Sequence, residues 1–302
     1  MVKYISDADL ARVAHLTSRK AARELGCGKS TINDARARQR VAQGSTLKVT
    51  DLPLTRQPKI LALDLENSPN IAHVWGLWQQ NVSLNQLMAS AEVICFGARW
   101  LHEDTVEFRS IHHDGKQKML ERAWELLNEA DAVMGWNSKG FDMKHLNREF
   151  LEAGMNPPSP VIDLDLMLTV KANFRFPSNK LDYVAQKLGL GAKVQHEGHT
   201  LWVKCMAGDA EAWEKMKEYQ IQDVDLLIPL YKKLLPWIKG HPNYGLYSGE
   251  ARCCPNCGST NLKKVEATVK TGANEYPKYQ CLGCGKWSRD RKSVGTTSQR
   301  SF

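Results

Sequence analysis

Residues 60–66 read Ile60-Leu61-Ala62-Leu63-Asp64-Leu65-Glu66, an apolar and β-prone run that ends in two carboxylates. Successive side chains of a strand point to opposite faces, so Asp64 and Glu66, two residues apart, share one face. The run is apolar enough to predict an interior strand, where a carboxylate without a partner is costly. Taken alone, this pair has an alternative interpretation as two solvated carboxylates at a strand end.

A further acidic residue follows a second short apolar segment. Ala132-Val133-Met134-Gly135-Trp136 predicts a strand, Ser138-Lys139-Gly140 a turn, and Phe141 to Ala153 a helix. Asp142 is therefore expected in the first helical turn, at the carboxyl end of a strand. The structural alternative is an aspartate that only caps the helix.

The last acidic motif is helical. Apolar residues recur at helical spacing from Glu211 to Ile238, and Tyr219 and Asp223, four residues apart, share a face of that helix. Pro229 interrupts the pattern and predicts a kink or a break. The alternative is a half-buried packing tyrosine beside a solvated aspartate.

Together these residues resemble the DEDD 3′→5′ exonucleases of the ribonuclease H-like superfamily. The matching motifs are Asp64-x-Glu66, Asn137-x-x-x-Phe141-Asp142 and Tyr219-x-x-x-Asp223, and the resemblance covers about residues 59–239. The match is to the branch with tyrosine in its last motif (DEDDy), as in the proofreading domains of family-B-type polymerases. The sister branch has histidine five residues before the last aspartate, where this chain has Glu218.

The resemblance implies a site for two Mg²⁺ or Mn²⁺ ions, about 4 Å apart, that clamp the scissile phosphate. Their implied ligands are Asp64, Glu66, Asp142 and Asp223, while Tyr219 would orient the attacking water. Asn137 would contact the terminal nucleotide or a metal-bound water, with a turn-forming role as its alternative, and Phe141 would contact the nucleic acid. The implied substrate is the 3′ end of single-stranded DNA, with RNA as the less favoured choice.

The pattern of the central segment predicts an α/β fold. Strand-like runs at residues 72–78, 93–100 and 106–110 follow the Asp64 strand, and helices are predicted at 116–130, near 165–172 and at 180–188. Hairpin-type strands followed by crossover helices indicate a mixed five-stranded sheet with flanking helices, as in ribonuclease H-like folds. Residues 59–240 are predicted to form this domain.

Charge divides the chain into three parts. Residues 1–57 hold 11 Lys/Arg and 5 Asp/Glu (+6), residues 58–239 hold 20 and 24 (−4), and residues 240–302 hold 10 and 4 (+6). An acidic centre with basic flanks suits a nuclease held on a polyanion by its ends, although basic termini can also be merely solvated. No cleavable leader and no run of 18 apolar residues occurs, which predicts a soluble cytoplasmic protein without a membrane partner, in the host cytoplasm if viral.

The N-terminal residues 1–45 predict a helix-turn-helix that binds duplex DNA. Ser6 can cap a first helix with Asp9 in the capping-box position, and Ser18–Leu25, the turn Gly26–Gly28 and Lys29–Arg40 complete the motif. A helical hairpin that binds a protein partner is the alternative. Residues 46–58 are predicted to be a linker. The side chains expected to enter a major groove include Lys29, Ser30, Thr31 and Arg36.

The C-terminal residues 251–292 predict a zinc ribbon. Cys254-Pro255-Asn256-Cys257 and Cys281-Leu282-Gly283-Cys284 form two Cys-x-x-Cys knuckles, each followed by glycine. Four thiolates at this spacing favour one structural Zn²⁺ over a redox dithiol pair. Cys253 competes with Cys254 as the first ligand, and Trp287 is predicted either to stack on nucleic acid or to pack under the ribbon. Residues 241–250 are predicted to be a linker, and 293–302 a disordered tail.

The predicted function is a two-metal 3′→5′ exonuclease that acts on DNA in replication, repair or recombination. One alternative is a structure-specific, resolvase-like endonuclease on the same fold, and another is a non-catalytic DNA-binding regulator. The combination of a DNA-reading arm, a nuclease and a ribbon resembles accessory proteins of bacteriophages and bacteria.

Overall fold

The computed structural model describes residues 5–29, 31, 32, 35, 56–191 and 197–299. The chain divides into two compact units, Met1–Arg56 and Gln57–Phe302. Across the described ranges, no helix has both the length and the apolar character needed to cross a membrane.

The described part of the first unit is helical. α1 spans Asp7–Arg12 and α2 spans Ser18–Glu24. The Ser6 hydroxyl accepts the Asp9 N–H while the Asp9 carboxylate accepts the Ser6 N–H, which confirms the predicted capping box. Residues 29, 31, 32 and 35 are helical, and the remainder of the predicted third helix lies outside the described residues. The apolar core of the first unit contains Ile5, Leu10, Val13, Ala21, Ala22, Leu25, Ile32 and Ala35.

The second unit is built on a five-stranded mixed sheet. Its strands are β1 (Ile60–Asn67), β4 (Val93–Trp100), β5 (Glu107–Ser110), β6 (Ala132–Gly135) and β7 (Ile162–Asp165), while β2 (Ile71–Ala72) and β3 (Leu87–Ala89) form a separate hairpin. The order across the main sheet is β5-β4-β1-β6-β7. β4 is antiparallel to β1 and β5, whereas β6 is parallel to β1 and β7. The mixed sheet predicted from the sequence is therefore confirmed.

Helices cover both faces of this sheet. They are α3 (Lys116–Glu129), α4 (Asp142–Glu152), α5 (Leu166–Asn173), α6 (Leu181–Lys187), α7 (His199–Met206) and α8 (Ala210–Leu234). Leu61, Leu63 and Phe96 pack with α3 and α4 on one face. Ile60, Ala62 and Met134 pack with α5, α6 and α8 on the other. β1 is therefore buried on both sides, as its apolar composition predicts.

One predicted strand was wrong. Of residues 72–78, only Ala72 is extended, and it pairs with β3 outside the main sheet. Trp75 and Trp78 of this segment are 98% and 85% exposed. The fifth strand is instead β7, whose Ile-Asp-Leu-Asp alternation is short and polar. Hydropathy alone cannot separate an exposed apolar loop from a buried strand, which explains the error.

The helix is not broken at Pro229, which excludes one of the two outcomes predicted there. Pro229 lies inside α8, which is a single helix of 25 residues. Its neighbours Ile228 and Leu230 are buried in the core. Burial along the whole helix offsets the hydrogen bond that proline removes. Tyr219 and Asp223 therefore lie on one long element.

The C-terminal residues form a second sheet. β8 (Leu262–Thr271) and β10 (Trp287–Arg289) pair with β9 (Asn274–Cys281). β11 (Gly295–Thr296) also pairs with β9, so the prediction that 293–302 is a disordered tail was wrong for these two residues. Sequence reasoning missed this strand because it is too short to have a pattern.

The predicted linker 241–250 is packed structure. It contains a short helix, α9 (Tyr244–Ser248), and Tyr244 is buried with its N–H donating to the Pro255 carbonyl at 3.0 Å. The Asn256 amide donates to the carbonyls of Leu235 and Ile238 at 2.9 and 3.1 Å. The cysteine-rich sheet is thereby fixed to the end of α8.

Candidate active site and the four-cysteine cluster

Asp64 and Glu66 continue the face of β1 that packs against α8. Because side chains alternate along the strand, these two carboxylates follow Ile60 and Ala62 toward that helix. Carboxylate oxygens of Asp64, Glu66 and Asp223 all lie within 4.8 Å of one another. A strand and a helix separated by about 150 residues of sequence thus bring three acids together.

The close approach of α8 depends on Gly97. This glycine lies beside Asp64 on β4, and a Cβ built there would lie 2.9 Å from Val224 Cγ2 and 3.0 Å from Gln220 Cγ. Both distances are shorter than ordinary packing contacts. The absent side chain therefore lets the helix lie directly over the strands that carry the acids.

Gln220 holds Asp64 in place. It is fully buried, and its Nε2 donates to the Asp64 carbonyl at 2.6 Å and to the Asp64 carboxylate at 2.9 Å. Sequence reasoning passed over this residue because a glutamine beside Tyr219 has no pattern of its own. Its role depends on the contact between α8 and β1.

Asp142 approaches the same site from the next strand. It begins α4 just after β6, is 2% exposed, and accepts the Leu65 N–H at 3.2 Å. Burial, and then the charge of Asp64, raise the pKa of its carboxyl well above the ordinary value. Asp142 is outside the group of three oxygens within 4.8 Å, but it lines the same cavity as Asp64 and Glu66.

Tyr219 lies one helical turn before Asp223 on α8 and interacts with the three acids. It is buried, and its ring contacts that of Trp202 edge-on at a centroid distance of 6.2 Å. Burial, and then the charges of Asp223, Glu66 and Asp64, raise the pKa of its hydroxyl. The phenol therefore stays protonated at neutral pH and is able to donate a hydrogen bond.

The turn before Asp142 is held by two aspartates of β7. The N–H groups of Asn137 and Lys139 donate to the Asp165 carboxylate at 3.3 Å each, and the Ser138 hydroxyl donates to Asp163 at 2.6 Å. Asp165 also caps α5, because its carboxylate accepts the Leu168 N–H at 2.9 Å. Its second contact with the turn was not anticipated, because it requires β7 to lie beside β6.

Asn137 has the turn geometry considered for it and also lines the cavity. Its φ of 70° is a left-handed conformation suited to a turn, and its side chain lines the cavity. A Cβ at Gly140 would lie 2.5 Å from Asn137 Oδ1, so a larger residue there would displace the Asn137 amide. The turn thus directs a polar amide into the site.

The acids open into a cavity of about 370 Å³. Phe141 is 38% exposed, and its ring lies 4.4 Å from that of His145, centroid to centroid. Lys180, which sequence reasoning missed, brings a positive charge to the wall from the loop before α6. The full lining is Asp64, Leu65, Glu66, Trp136, Asn137, Phe141, Asp142, Lys180, Leu181 and Asp182.

This arrangement fits divalent cations. Three carboxylates within 4.8 Å repel one another, and that repulsion is relieved when a cation binds between them. Carboxylate oxygens are the ligands preferred by hard cations such as Mg²⁺ and Mn²⁺. The donor set and the open cavity are therefore compatible with a metal-dependent site.

The remaining predicted nucleic-acid contacts lie elsewhere. Lys29 is exposed and Thr31 half-buried in the first unit, whereas Ser30 and Arg36 lie outside the described residues. Trp287, on β10, is 51% exposed.

Four cysteines form a second candidate metal centre. Sulfur atoms of Cys254, Cys257, Cys281 and Cys284 lie within 4.8 Å of one another, and Cys253 is not part of the group. The Cys254–Cys284 and Cys257–Cys281 sulfur pairs are each 3.6 Å apart. Four sulfurs bound tetrahedrally at about 2.3 Å from zinc would be about 3.8 Å apart, so the cluster could hold Zn²⁺.

The backbone at both knuckles supports this fit. Gly258 and Gly285 have φ of 74° and 84°, and their N–H groups donate to the carbonyls of Cys254 and Cys281 at 2.9 Å. Burial raises the pKa values of Cys254 and Cys257. Burial also acts to raise the pKa of Cys281, but hydrogen bonds from the backbone N–H groups of Cys284 and Gly283 and from the Cys257 and Cys254 side chains outweigh it and lower that pKa to about 7. A thiol of this kind is readily available as a thiolate ligand.

Residues 86–235 match the family model of the RNase_H superfamily. The core of the second unit is ribonuclease H-like. No curated protein matches the chain. Among solved structures, this chain is similar to the family B DNA polymerase of the hyperthermophilic archaeon Pyrobaculum calidifontis, at 16% identity and a TM-score of 0.47. That similarity covers 72% of this chain, which spans only 32% of the polymerase chain.

Proposed function

We propose that the ribonuclease H-like core is a two-metal 3′→5′ exonuclease that acts on single-stranded DNA ends. The observation that carries the proposal is the group of Asp64, Glu66 and Asp223 oxygens within 4.8 Å, beside the cavity that Asp142 also lines. Two bound Mg²⁺ or Mn²⁺ ions would supply an activated water and neutralise charge at the scissile phosphate. The four carboxylates are the proposed ligands.

The other residues of the site have roles that fit this reaction. The protonated Tyr219 hydroxyl is suited to orient the attacking water. The exposed Phe141 ring and the Asn137 amide are suited to hold the terminal nucleotide, and Lys180 to contact a phosphate. A tyrosine beside the acids favours the exonuclease over a resolvase-like endonuclease, because it matches the DEDDy resemblance.

The flanking modules are proposed to help hold the substrate. The first unit would bind duplex DNA as a helix-turn-helix, and the four cysteines would hold one structural Zn²⁺ in a ribbon. RNA remains the second candidate substrate for the core.

The test is cleavage of 5′-labelled single strands of DNA and matched RNA with Mg²⁺. We expect a ladder that shortens stepwise from the 3′ end, abolished by Asp223→Ala. Asp225→Ala is a matched control, because Asp225 lies two residues away on α8 and pairs with Arg99 at 2.5 Å instead of facing the acids.

Two outcomes would contradict the proposal. Internal cuts in branched duplexes without a ladder would establish the endonuclease alternative. Binding of DNA without any cleavage in Mg²⁺ or Mn²⁺ would establish the non-catalytic regulator.

A further inference from the structure

The second sheet has two faces of different chemistry. Alternation along β9 places Tyr276, Lys278 and Gln280 on one face, and residues 275, 277, 279 and 281 on the other. The register sets Trp287 opposite Gln280 and Arg289 opposite Lys278. Lys263 of β8 is also opposite Gln280. We define the basic-aromatic face as Lys263, Tyr276, Lys278, Gln280, Trp287 and Arg289.

Cations and rings alternate in contact on this face. Lys278 Nζ lies 5.5 Å from the centre of the Trp287 ring, and the guanidinium carbon of Arg289 lies 3.9 Å from the centre of the Tyr276 ring. Trp287 is 51% exposed. The six residues of the face include no carboxylate, whereas Glu275 lies on the opposite face. The chemistry of the basic-aromatic face therefore suits a polyanion that also carries planar apolar groups.

The sheet is attached to the helix that carries the catalytic candidates. Besides the Asn256 contacts, Lys286 Nζ donates to the Ile238 carbonyl at 2.7 Å. At 1.5 Å per residue, Asp223 and Leu235 are about 18 Å apart along α8. About five stacked nucleotides cover that distance.

We propose that the basic-aromatic face binds single-stranded nucleic acid, holding the strand whose 3′ end enters the candidate active site. This inference rests on the proposed function only for the identity of that strand. Lys263, Lys278 and Arg289 contact phosphates, Trp287 stacks on a base, and the Tyr276 ring holds the Arg289 guanidinium in place. Stacking requires unpaired bases, because a duplex hides its base faces, so the face distinguishes single strands from duplexes.

The direct test is fluorescence anisotropy with the full zinc-loaded chain, without Mg²⁺, using labelled oligo-dT and a duplex of equal length. We expect Trp287→Ala/Arg289→Ala to weaken oligo-dT binding by about five- to a hundredfold, the range for removing one stacked base. Lys263→Ala/Lys278→Ala should make the slope of log affinity against log salt shallower by about 0.7 for each phosphate that is no longer neutralised. Zinc content and circular dichroism verify that the variants are folded.

The matched control is Lys264→Ala/Lys270→Ala. These lysines lie on the opposite face of the same sheet, across from Tyr279 and Glu275, so the control removes the same charge. Equal loss of affinity in this control would overturn the inference. Wild-type affinity for oligo-dT in the Trp287/Arg289 variant, or an equal loss of duplex and oligo-dT affinity in that variant, would overturn it as well.

Hydrolysis of the p-nitrophenyl ester of thymidine 5′-monophosphate separates the two proposals, because this small substrate reaches only the carboxylate site. If both hold, the face variants hydrolyse the ester like the wild type but have a raised KM for long strands. If neither ester nor strand is cleaved while binding still follows the face, the proposed function fails and the face assignment stands. If both are cleaved while binding is independent of the face, the face assignment fails and the proposed function stands.

Discussion

Gln220 is the residue on which the position of Asp64 depends. Its amide donates to both the carbonyl and the carboxylate of Asp64, so Gln220→Leu removes both donors at nearly constant volume. We expect kcat to fall about 10- to 100-fold and the Mg²⁺ concentration for half-maximal activity to rise, as for other groups that orient metal ligands. Steady-state kinetics over a Mg²⁺ titration measure both effects.

Gln117→Leu is the control for this prediction. It makes the same chemical change on α3, where the Gln117 amide donates to Glu121 at 2.9 Å on the surface of the molecule. The control should keep the wild-type rate and Mg²⁺ dependence. An unaltered rate and Mg²⁺ dependence in Gln220→Leu would exclude the positioning role.

Trp75 and Trp78 contribute little to folding, because 98% and 85% of their surface is exposed. We expect each change to alanine to alter the free energy of unfolding by less than about 0.5 kcal/mol. Trp213→Ala is the contrast, since Trp213 is 1% exposed and donates to the Cys205 carbonyl at 2.9 Å, and should cost about 3–5 kcal/mol. Urea unfolding measures all three, and a large loss at Trp75 would refute the prediction.

Individual residues of the site differ in how far the sequence reveals them. Asp64, Glu66, Asp142 and Asp223 have local signals, because each follows a strand or repeats at helical spacing. Gln220 has none, since its partner Asp64 is 156 positions away along the chain. Contacts made only by tertiary packing produce no periodic pattern in the sequence.

Gly97 controls how closely α8 lies on the sheet. A methyl group there would lie 2.9 Å from Val224 Cγ2 and 3.3 Å from the Gln220 carbonyl oxygen. We expect Gly97→Ala to reduce the free energy of unfolding by about 1–3 kcal/mol, as in other overpacked cores. It should also lower kcat, because α8 carries Tyr219 and Asp223.

Chemical denaturation and strand-cleavage rates test this expectation. Gly97→Ala/Val224→Ala removes the atom that lies closest to the new methyl, so it should recover part of the activity. Full activity in the single variant would contradict the role assigned to this contact.

Glu149 joins α4, β4 and α3 through a buried carboxylate. It accepts from Arg148 at 2.6 Å and from the Val93 N–H at 3.1 Å, and lies 3.0 Å from Lys116 Nζ. Burial alone would raise its pKa, but the bonds from Arg148 and Lys116 outweigh burial and lower it. Glu149→Gln should therefore cost about 3 kcal/mol near pH 7.

The pH dependence of this cost has a definite sign. A carboxylate with a lowered folded pKa stabilises the protein above its unfolded pKa of about 4.3 and loses that contribution as pH falls through the folded value. The difference between wild type and Glu149→Gln should therefore shrink below about pH 4. Denaturation at several pH values measures it, and a constant difference would contradict the argument.

Among the larger elements, prediction worked where burial produced a clear period. β1, β4 and α8 are long and buried, and their hydrophobic patterns were sufficient to predict them. β7 was missed because four residues with two aspartates look like a helix cap, and Asp165 does cap α5. The strand predicted at residues 72–78 was wrong because the apolar side chains of this segment face solvent. Their alternation therefore does not reflect a buried strand face.

The four-cysteine cluster is expected to affect the stability of the whole molecule through bound zinc. Cys254→Ser should lose the bound zinc and lower thermal stability, because structural zinc sites contribute directly to folding. Cys253→Ser should retain one zinc per chain, since Cys253 lies outside the group of four sulfurs. Metal analysis and thermal unfolding of the two variants distinguish them, and the reverse result would reassign the first ligand.

The carbonyls of Leu235 and Ile238 have a practical consequence for anyone who shortens this protein. Asn256 and Lys286 supply their hydrogen-bond donors, so a gene truncated at codon 240 would encode a ribonuclease H-like core whose last helix ends without these donors. A truncation at the charge boundary near residue 240 is therefore expected to destabilise the end of α8. The smallest stably folded fragment that contains the candidate active site should retain both cysteine knuckles.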